Sequence, residues 1–520
     1  MSAPISDNAA PLPGRPVNMR PDRVSMFQAM VTILGVVGIS LVVLITGLVA
    51  SVSGDELLML VLAMAMTIIF TIPILLDRAR APADRHMLLS LCALGHWAYF
   101  VIPVFTQYFL LDIHVDGGLR LKNQPPSNIV AAQVVVLVGV MSMFAGYFYP
   151  ASGALGRVMP KPVFDWPHSS ALMVAVVMVS AGWFVTLGSQ FGLVPRSFGS
   201  GALGAVASGT YFGVGLLAII HAKFKSKPAL VLIYLLIPPA MAIAFLTGSK
   251  RFMLAPIMVA ALGYYIANRR MDTRWIVAGG LLLMVIYPVA QFWRDVVLAG
   301  NQLGMVDVLA RPGRAVSLIS AFLANADLSM HFEQGLQSAT ARIDALGVVT
   351  RIVTDTPGRV PFQGGWTLAY VPISFVPRII WPDKPVIMVG QWITDNYGGG
   401  PAIRSNTGSA WIGELWFNFG YPGVIVGMGV IGAYFRILHE AFFRVFTVPA
   451  CLSCLVILWA TCTTIEMNLI APFNGVIFNL MGPILIAHLG VRLFGGARPL
   501  KEEDPPPRPS GTAEPGSARN

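Results

Sequence analysis

Long apolar segments, separated by short polar stretches, recur along almost the whole chain. About twelve of them are long enough to cross a bilayer whose hydrocarbon core is roughly 30 Å thick. They lie near 28–52, 57–76, 87–111, 129–149, 171–195, 205–222, 228–247, 252–267, 275–293, 409–433, 446–468 and 472–493. The pattern therefore predicts an all-α fold: a polytopic integral membrane bundle of about twelve transmembrane helices.

Outside the segment 294–408 and the pair Lys250 and Arg251, most lysine and arginine residues fall in alternate loops of this bundle. The residues concerned are Arg15, Arg20, Arg23, Arg78, Arg80, Arg85, Arg157, Lys161, Lys223, Lys225, Lys227, Arg269, Arg270, Arg274, Arg436, Arg444, Arg492 and Arg498. Cytoplasmic loops of membrane proteins carry an excess of lysine and arginine. This face, together with both chain termini, is therefore predicted to be cytoplasmic.

Composition supports a membrane protein and excludes other classes. A mean hydropathy of +0.70, with 55% hydrophobic and 12% charged residues, excludes an ordinary soluble domain. The net charge of +10 is spread over helix ends, so nucleic-acid binding is not expected. The polar segment 1–25 and the Pro-rich and Gly-rich tail 499–520 are predicted to be disordered cytoplasmic ends. No metal-ligand cluster or nucleotide-binding motif appears, so no cofactor is expected.

The segment 294–408 is too long for a simple connector and should form a large, partly helical loop on the outer face. Helical spacing of apolar residues predicts an amphipathic helix over 330–353. The part that follows Pro361 is rich in glycine and proline and is predicted to be irregular. Nine basic residues lie in this loop: Arg294, Arg311, Arg314, Arg342, Arg351, Arg359, Arg378, Lys384 and Arg404.

These loop cations and the neighbouring residues Lys250 and Arg251 lie on the predicted outer face. They are exceptions to the rule that basic residues lie on the cytoplasmic face. Charge at the mouth of a membrane bundle is costly and usually serves an anionic ligand. For Arg311, Arg314 and Arg359 we expect only solvation or pairing with acidic neighbours. Arg251, Arg294, Arg351 and Arg378 are the candidates to converge on a shared anion site.

Motifs in the second half of the chain resemble those of bacterial oligosaccharide repeat-unit polymerases of the O-antigen, or Wzy, type. Residues 375–385, FVPRIIWPDKP, resemble the PR..WP.KP segment of that family. Residues 413–424, GELWFNFGYPGV, resemble its GELY-NFG-GV opening of a late span, and 247–251 resemble its GSR turn. A weaker match runs over 341–357, whereas the Arg-x10-Gly motif of some members is absent from the long loop.

This resemblance implies a GT-C-like architecture and a metal-independent glycosyltransferase facing the periplasm from the bacterial inner membrane. Such an enzyme transfers a growing glycan from undecaprenyl diphosphate onto a new repeat unit, in O-antigen, capsule or exopolysaccharide synthesis. The implied partners are the lipid-linked glycan, the bilayer, a chain-length regulator and a repeat-unit flippase.

Within that function, Arg251 and Arg378 are the candidates to stabilise the leaving diphosphate, and Glu414 is the candidate general base. A structural ion pair with a loop arginine is the alternative role for Glu414, and Asp383 and Glu466 are the other candidate bases. Contacts to diphosphate and glycan are expected from a wider set: Lys250, Arg294, Arg351, Trp381, Asp383, Lys384 and Asn418.

Two other functions use the same lipid-linked substrate. An O-antigen ligase-like enzyme carries a His-containing motif in its outer loop, and here His331 stands in that loop without the motif. A lipid-linked glycan flippase or exporter should show paired halves and charged residues at mid-membrane depth, and the sequence shows almost none of the latter. Both alternatives rank behind the polymerase.

The charge pattern makes a direct prediction about topology. Reporter fusions placed after Lys227 and after Gly364 should report opposite compartments, with Lys227 on the cytoplasmic side. Activity of paired alkaline phosphatase and green fluorescent protein fusions measures this in intact cells. Identical compartments for the two fusions would contradict the charge argument and the outer-face site with it.

Overall fold

The computed structural model describes residues 53–80, 84–110, 119–162, 164–193, 202–246, 250–269, 343–376, 388–398, 407–494 and 498–499, with 381, 383–385 and scattered single positions between 290 and 337. The predicted span near 28–52 and both terminal tails fall outside these ranges, as does almost all of the predicted span near 275–293.

Helices dominate the described chain. They are α1 Gly54–Ala79, α2 Met87–Phe100, α3 Pro126–Phe148, α4 Pro150–Val158, α5 His168–Gln190, α6 Ala202–Phe224, α7 Lys227–Leu246, α8 Lys250–Asn268, α9 Ala345–Asp355, α10 Trp366–Ser374, α11 Val389–Tyr397, α12 Ala410–Leu438, α13 Val448–Cys462 and α14 Ile470–Phe494. Short π-helices follow α2 and α12, at Val104–Leu110 and His439–Phe443, and a 3₁₀ turn spans Leu121–Asn123. Two-residue strands, β1 Phe164–Asp165 and β2 Arg498–Pro499, pair antiparallel.

Among the described residues, seven helical segments are long and apolar enough to cross a membrane. They are Gly54–Ala79, Met87–Phe109, Pro126–Phe148, His168–Ser189, Val206–Phe224, Lys227–Leu246 and Ala410–Phe443. Shorter apolar helices cover Met253–Asn268 and Val448–Cys462. The prediction of a helical membrane bundle is confirmed by these seven segments; the number of twelve spans stays a prediction.

Local chemistry explains where α1 begins. Ser53 and Glu56 form a capping box, in which the Glu56 carboxylate accepts the Ser53 N–H at 2.9 Å and the Ser53 hydroxyl accepts the Glu56 N–H at 3.3 Å. Asp55 and Glu56 also place negative charge at the positive end of the helix dipole. The acidic turn therefore sets the start of this span.

Contacts between distant loops divide the bundle into two ends. At one end, which we call the basic end, the loops near 80–86, 147–168, 223–227 and 439–448 meet: the Tyr147 hydroxyl lies 2.8 Å from Nδ1 of His86, and Asp165 accepts the Val448 N–H at 2.8 Å. At the opposite end, Asp344 accepts the Leu121 N–H at 3.0 Å. The alternation of basic loops in the sequence thus corresponds to a spatial separation.

Helices α3 and α12 pack closely through glycines that face the backbone of the other helix. A Cβ atom added at Gly432 would overlap the Met143 carbonyl oxygen, and one added at Gly146 would overlap the Gly429 carbonyl oxygen. Small residues allow such backbone contact between helices in a membrane, where van der Waals packing drives association. Tyr147, on the same face of α3, is fully buried.

Helix α12 is interrupted within the span, as the Tyr-Pro-Gly sequence at 421–423 predicts. The break lies at Gly420, whose φ of 62° and ψ of −145° are not helical. Glycine tolerates positive φ because it has no Cβ, and Pro422 removes one backbone donor from the helix. Beyond the break α12 continues to Leu438, further than the predicted end near 433.

Two sequence predictions within the long loop are wrong. The continuous helix predicted over 330–353 is interrupted at residues 343–344, and α9 begins at Ala345 because Asp344 is its N-cap and accepts the Gly347 N–H at 2.8 Å. The part after Pro361, predicted to be irregular, contains the helices α10 and α11. Apolar side chains of these short helices pack against the bundle, and this tertiary packing outweighs the unfavourable local glycine and proline content.

The close contact between α3 and α12 predicts a strong effect of one methyl group. Gly432→Ala should destabilise the protein by about 1–3 kcal/mol or more, since the added Cβ overlaps the Met143 backbone. Gly490→Ala is the matched control, because a Cβ there meets no atom within 4 Å. Thermal unfolding of the purified variants in detergent measures both. Equal unfolding temperatures for the two variants would contradict this packing.

Candidate functional site

Glu414 and Asn418 lie one helical turn apart on α12, just before the break at Gly420. Both side chains are fully buried. The segment between α9 and α10 lies across this part of α12, and a Cβ at Gly365 would overlap the Phe419 ring. We call the contact between residues 363–367 and residues 414–420 the loop junction.

Backbone hydrogen bonds hold the loop junction together. In a regular helix the Asn418 carbonyl would accept from residue 422, but Pro422 has no N–H. The Gly364 N–H supplies that missing donor at 3.2 Å, and the Gln363 N–H donates to the Phe417 carbonyl at 2.9 Å. The loop thus satisfies carbonyl groups that the helix break leaves without intrahelical partners.

The Asn418 side chain adds three hydrogen bonds to this contact. Its Oδ1 accepts the Gly365 N–H at 2.8 Å, and its Nδ2 donates to the Thr367 hydroxyl at 2.8 Å and to the Glu414 carbonyl at 2.8 Å. Each polar atom of the amide therefore has a partner, and Asn418 fixes the loop relative to Glu414.

Glu414 has few partners for a buried carboxylate. Its Oε2 accepts the Leu469 N–H at 2.6 Å, and the Thr367 hydroxyl faces the same group. Within the described ranges, no donor reaches Oε1 with hydrogen-bonding geometry and no lysine or arginine forms an ion pair with Glu414. A buried carboxylate is costly unless it is fully paired, so an underused oxygen is unusual here.

Arg351 lies on α9, which packs against α12 beside Glu414. Ile352 of α9 lies 3.1 Å from the position of a Cβ added at Gly413. Nε of Arg351 and Nη2 of Arg359 both lie 3.0 Å from Oδ2 of Asp355. Pairing of Arg359 with an acidic neighbour agrees with the expectation for that residue. Because two guanidinium groups share one carboxylate, this cluster carries one positive charge in excess.

Lys384 closes the end of α10. Its Nζ donates to the carbonyl oxygens of Ser374 at 2.8 Å and of Val376 at 3.0 Å. The Ser374 hydroxyl in turn donates to Oδ1 of Asn474 on α14 at 2.6 Å, which ties this end of α10 to the last helix. Asp383 and Trp381, in the same segment, are exposed.

The remaining candidates cannot be placed at the level of side chains. Arg294 and Arg378 lie outside the described residues. Lys250 and Arg251 form the first turn of α8, and their side chains also lie outside the description. The structure thus brings Glu414 and Asn418 together and places α9, which carries Arg351, against the same helix. Convergence of Arg251, Arg351, Arg378 and Glu414 on one cavity stays a prediction.

Sequence reasoning overlooked several residues of this region. The spacing of Arg351, Asp355 and Arg359 at four-residue intervals on and just after one helix indicates ion pairs and could have revealed Asp355. Thr367 and the Gly364 donor gave no local signal, because their partners lie about fifty residues away on α12. No group of three or more His, Cys, Asp or Glu side chains that could hold a metal occurs in the described part of the chain.

Comparison with known proteins identifies one family. The model of the family described as "Domain of unknown function (DUF8712)" matches residues 127–461, which is more than half of the chain. The chain belongs to this family. The matched region runs from α3 into α13 and so includes the loop junction. Neither the curated proteins nor the solved structures contain a match to the chain.

The network around Asn418 predicts a measurable loss of stability. Asn418→Ala should destabilise the fold by about 1–3 kcal/mol, since it leaves buried groups of the loop junction without partners. Asn396→Ala is the matched control: its Nδ2 makes the same bond to a carbonyl four residues earlier, Trp392, at 2.8 Å. Limited proteolysis between α9 and α10 should accelerate only in Asn418→Ala. Equal protection of both variants would contradict the anchoring role of Asn418.

Proposed function

We propose that this DUF8712 protein is a glycosyltransferase that polymerises oligosaccharide repeat units carried on a polyprenyl diphosphate. The observation that carries the proposal is the buried Glu414 carboxylate at the loop junction, one of whose oxygens has no described donor. It lies within the segment that resembles the late-span motif of the repeat-unit polymerases. The long loop that holds the other resembling motif packs directly against this helix.

The proposed reaction is a single displacement at a sugar. A hydroxyl of the incoming repeat unit attacks the anomeric carbon of the lipid-linked chain and forms the new glycosidic bond. The bond between that carbon and the diphosphate oxygen breaks, and its electron pair leaves with the diphosphate. Glu414 takes the proton of the attacking hydroxyl, as a general base in glycosyl chemistry does.

Cations would stabilise the charge that grows on the leaving diphosphate. Arginine presents a planar fork that contacts phosphate oxygens in pairs, whereas lysine acts as a point charge. Arg251 and Arg378 are assigned this role, with Lys250, Arg294 and Arg351 as further contacts. The excess positive charge at Arg351, Asp355 and Arg359 supports this assignment.

Glycan recognition is assigned to the segment after α10. The exposed ring of Trp381 offers an aromatic face on which a sugar can stack, and the exposed Asp383 can accept from hydroxyl groups. Lys384 holds this segment to the end of α10. The proposal also includes twelve spans, a GT-C-like architecture, cytoplasmic termini and a site that faces the periplasm of the inner membrane.

A deletion strain tests the function through its surface glycan. Polymerase loss should leave a single capped repeat unit in place of long chains, and restoration of the gene should restore them. Lipid-linked chains that are never attached would indicate a ligase instead. Loss of every outer-leaflet intermediate would indicate a flippase. Electrophoresis of the surface glycan, with mass spectrometry of lipid-linked intermediates, distinguishes these results.

Complementation of this strain tests the residues. Glu414→Gln keeps the shape of the side chain but removes the base, and should lower polymerisation by about 10²–10⁴-fold. Arg378→Lys keeps the charge but loses the paired contacts, and should also impair polymerisation severely. The matched controls are Asp55→Asn and Arg359→Lys, and both should retain activity. Asp55 is an exposed carboxylate at the end of the bundle opposite the basic end, where Glu414 also lies.

Variants are compared at equal membrane abundance, because loss of a structural partner would reduce activity through misfolding. Normal polymerisation by well-folded Glu414→Gln would show that Glu414 is structural, and Asp383 would then be the next candidate base. Full activity of Arg378→Lys would remove paired phosphate contacts at that position from the mechanism.

A further inference from the structure

A cavity of about 260 Å³ lies at the basic end of the bundle. Its lining includes no residue of the loop junction. It opens between α1, the start of α2 and the end of α3. Its walls are apolar and come from Ile69, Ile72, Leu76, Met141, Phe144 and Phe148. Its polar boundary consists of Asp77, Arg80 and His86. The proposed function makes no use of this cavity.

Several wall residues are also part of the outer surface of the bundle. Ile72, Leu76, Met141 and Phe148 are 44–52% exposed. They belong to α1 and α3, which are two of the apolar segments able to cross a membrane. The cavity is therefore accessible to hydrocarbon chains of the surrounding bilayer.

The Asp77 carboxylate does not depend on Arg80 for its partners. It accepts the Ser90 hydroxyl at 2.6 Å and the His86 N–H at 2.8 Å. Nη1 of Arg80 lies 3.4 Å away, which is long for a charge-assisted hydrogen bond. The Arg80 side chain is 34% exposed and its guanidinium has further N–H donors. Arg80 can therefore bind a second anion.

Positive charge exceeds negative charge around this boundary. Arg436 and Arg444 lie 2.7 Å and 2.9 Å from the carboxylate oxygens of Glu440, which they share. Burial, together with Arg80, Arg436 and Arg444, lowers the pKa of His86 to about 3, so the imidazole is neutral. Among the described residues, Arg80 and Arg85 thus face Asp77, and Arg436 and Arg444 face Glu440, so four arginines face two carboxylates.

We propose that this cavity binds an anionic phospholipid, with the phosphate against Arg80 and one acyl chain between α1 and α3. Apolar walls suit a hydrocarbon chain, whereas a sugar or nucleotide would need more polar groups. The volume suits a single chain rather than a larger ligand. Under the predicted topology the basic end faces the cytoplasm, where the leaflet is rich in anionic lipids.

Binding to the purified full-length protein in detergent tests this site. The probes are fluorescent short-chain phosphatidylglycerol and the zwitterionic phosphatidylcholine of the same chain length. Both lipids carry the phosphate, but the choline cation of phosphatidylcholine is repelled by the excess of arginine, so phosphatidylglycerol should bind about tenfold more tightly. Arg80→Ala should abolish this preference, whereas Leu76→Trp should weaken both lipids because its larger side chain fills the cavity. Arg157→Ala, an exposed arginine of α4 at the same end, is the control and should bind like the wild type.

Three results would overturn the proposal: equal binding of the two lipids, equal weakening by Arg157→Ala and Arg80→Ala, or displacement of the probe by millimolar inorganic phosphate alone. The first would show that the site does not select a net anionic headgroup, the second would indicate only general charge, and the third would indicate a site for free phosphate. Arg80→Lys is a second variant that keeps the charge, for use if Arg80→Ala does not fold. A partial preference of Arg80→Lys for phosphatidylglycerol would support the site. Full loss of lipid binding by this variant would contradict it.

Discussion

The close approach of α3 and α12 is the constraint on which both ends of the molecule depend. Lipid tails are as apolar as leucine, so helices in a membrane associate through packing rather than through the hydrophobic effect. Glycines at 146, 429 and 432 allow the two backbones to touch. Because α12 carries Glu414 near one end and Arg436 near the other, this single contact positions the loop junction and the charged network at the basic end.

The break in α12 connects the membrane bundle to the long loop. Pro422 leaves the Asn418 carbonyl without its helical donor, and Gly364 of the loop supplies one. The same asparagine binds Gly365 and Thr367 through its side chain. The loop therefore binds α12 at the break in the helix, and loop residues 363–367 cover Glu414.

Buried carboxylates in this protein differ in how well they are satisfied. Asp344 accepts two backbone N–H groups, Asp77 accepts a hydroxyl and a backbone N–H, and Glu440 faces two arginines. Glu414 accepts the Leu469 N–H, faces the Thr367 hydroxyl and leaves Oε1 without a described donor. Both oxygens of the first three carboxylates have described partners, whereas Oε1 of Glu414 does not, and the proposed role of Glu414 as a base rests on that difference.

The sequence alone determined the helical membrane class, the positions of the described spans, the separation of basic loops at one end and the break near Pro422. These features follow from segment length, hydropathy and the missing proline N–H, which act locally along the chain. Tertiary structure alone decided where α9 begins, since Asp344 also binds Leu121, 223 residues earlier. It likewise decided that α10 and α11 are helices and that Thr367 meets Asn418. Those outcomes depend on contacts between segments that are distant in the sequence. Local sequence patterns cannot predict such contacts.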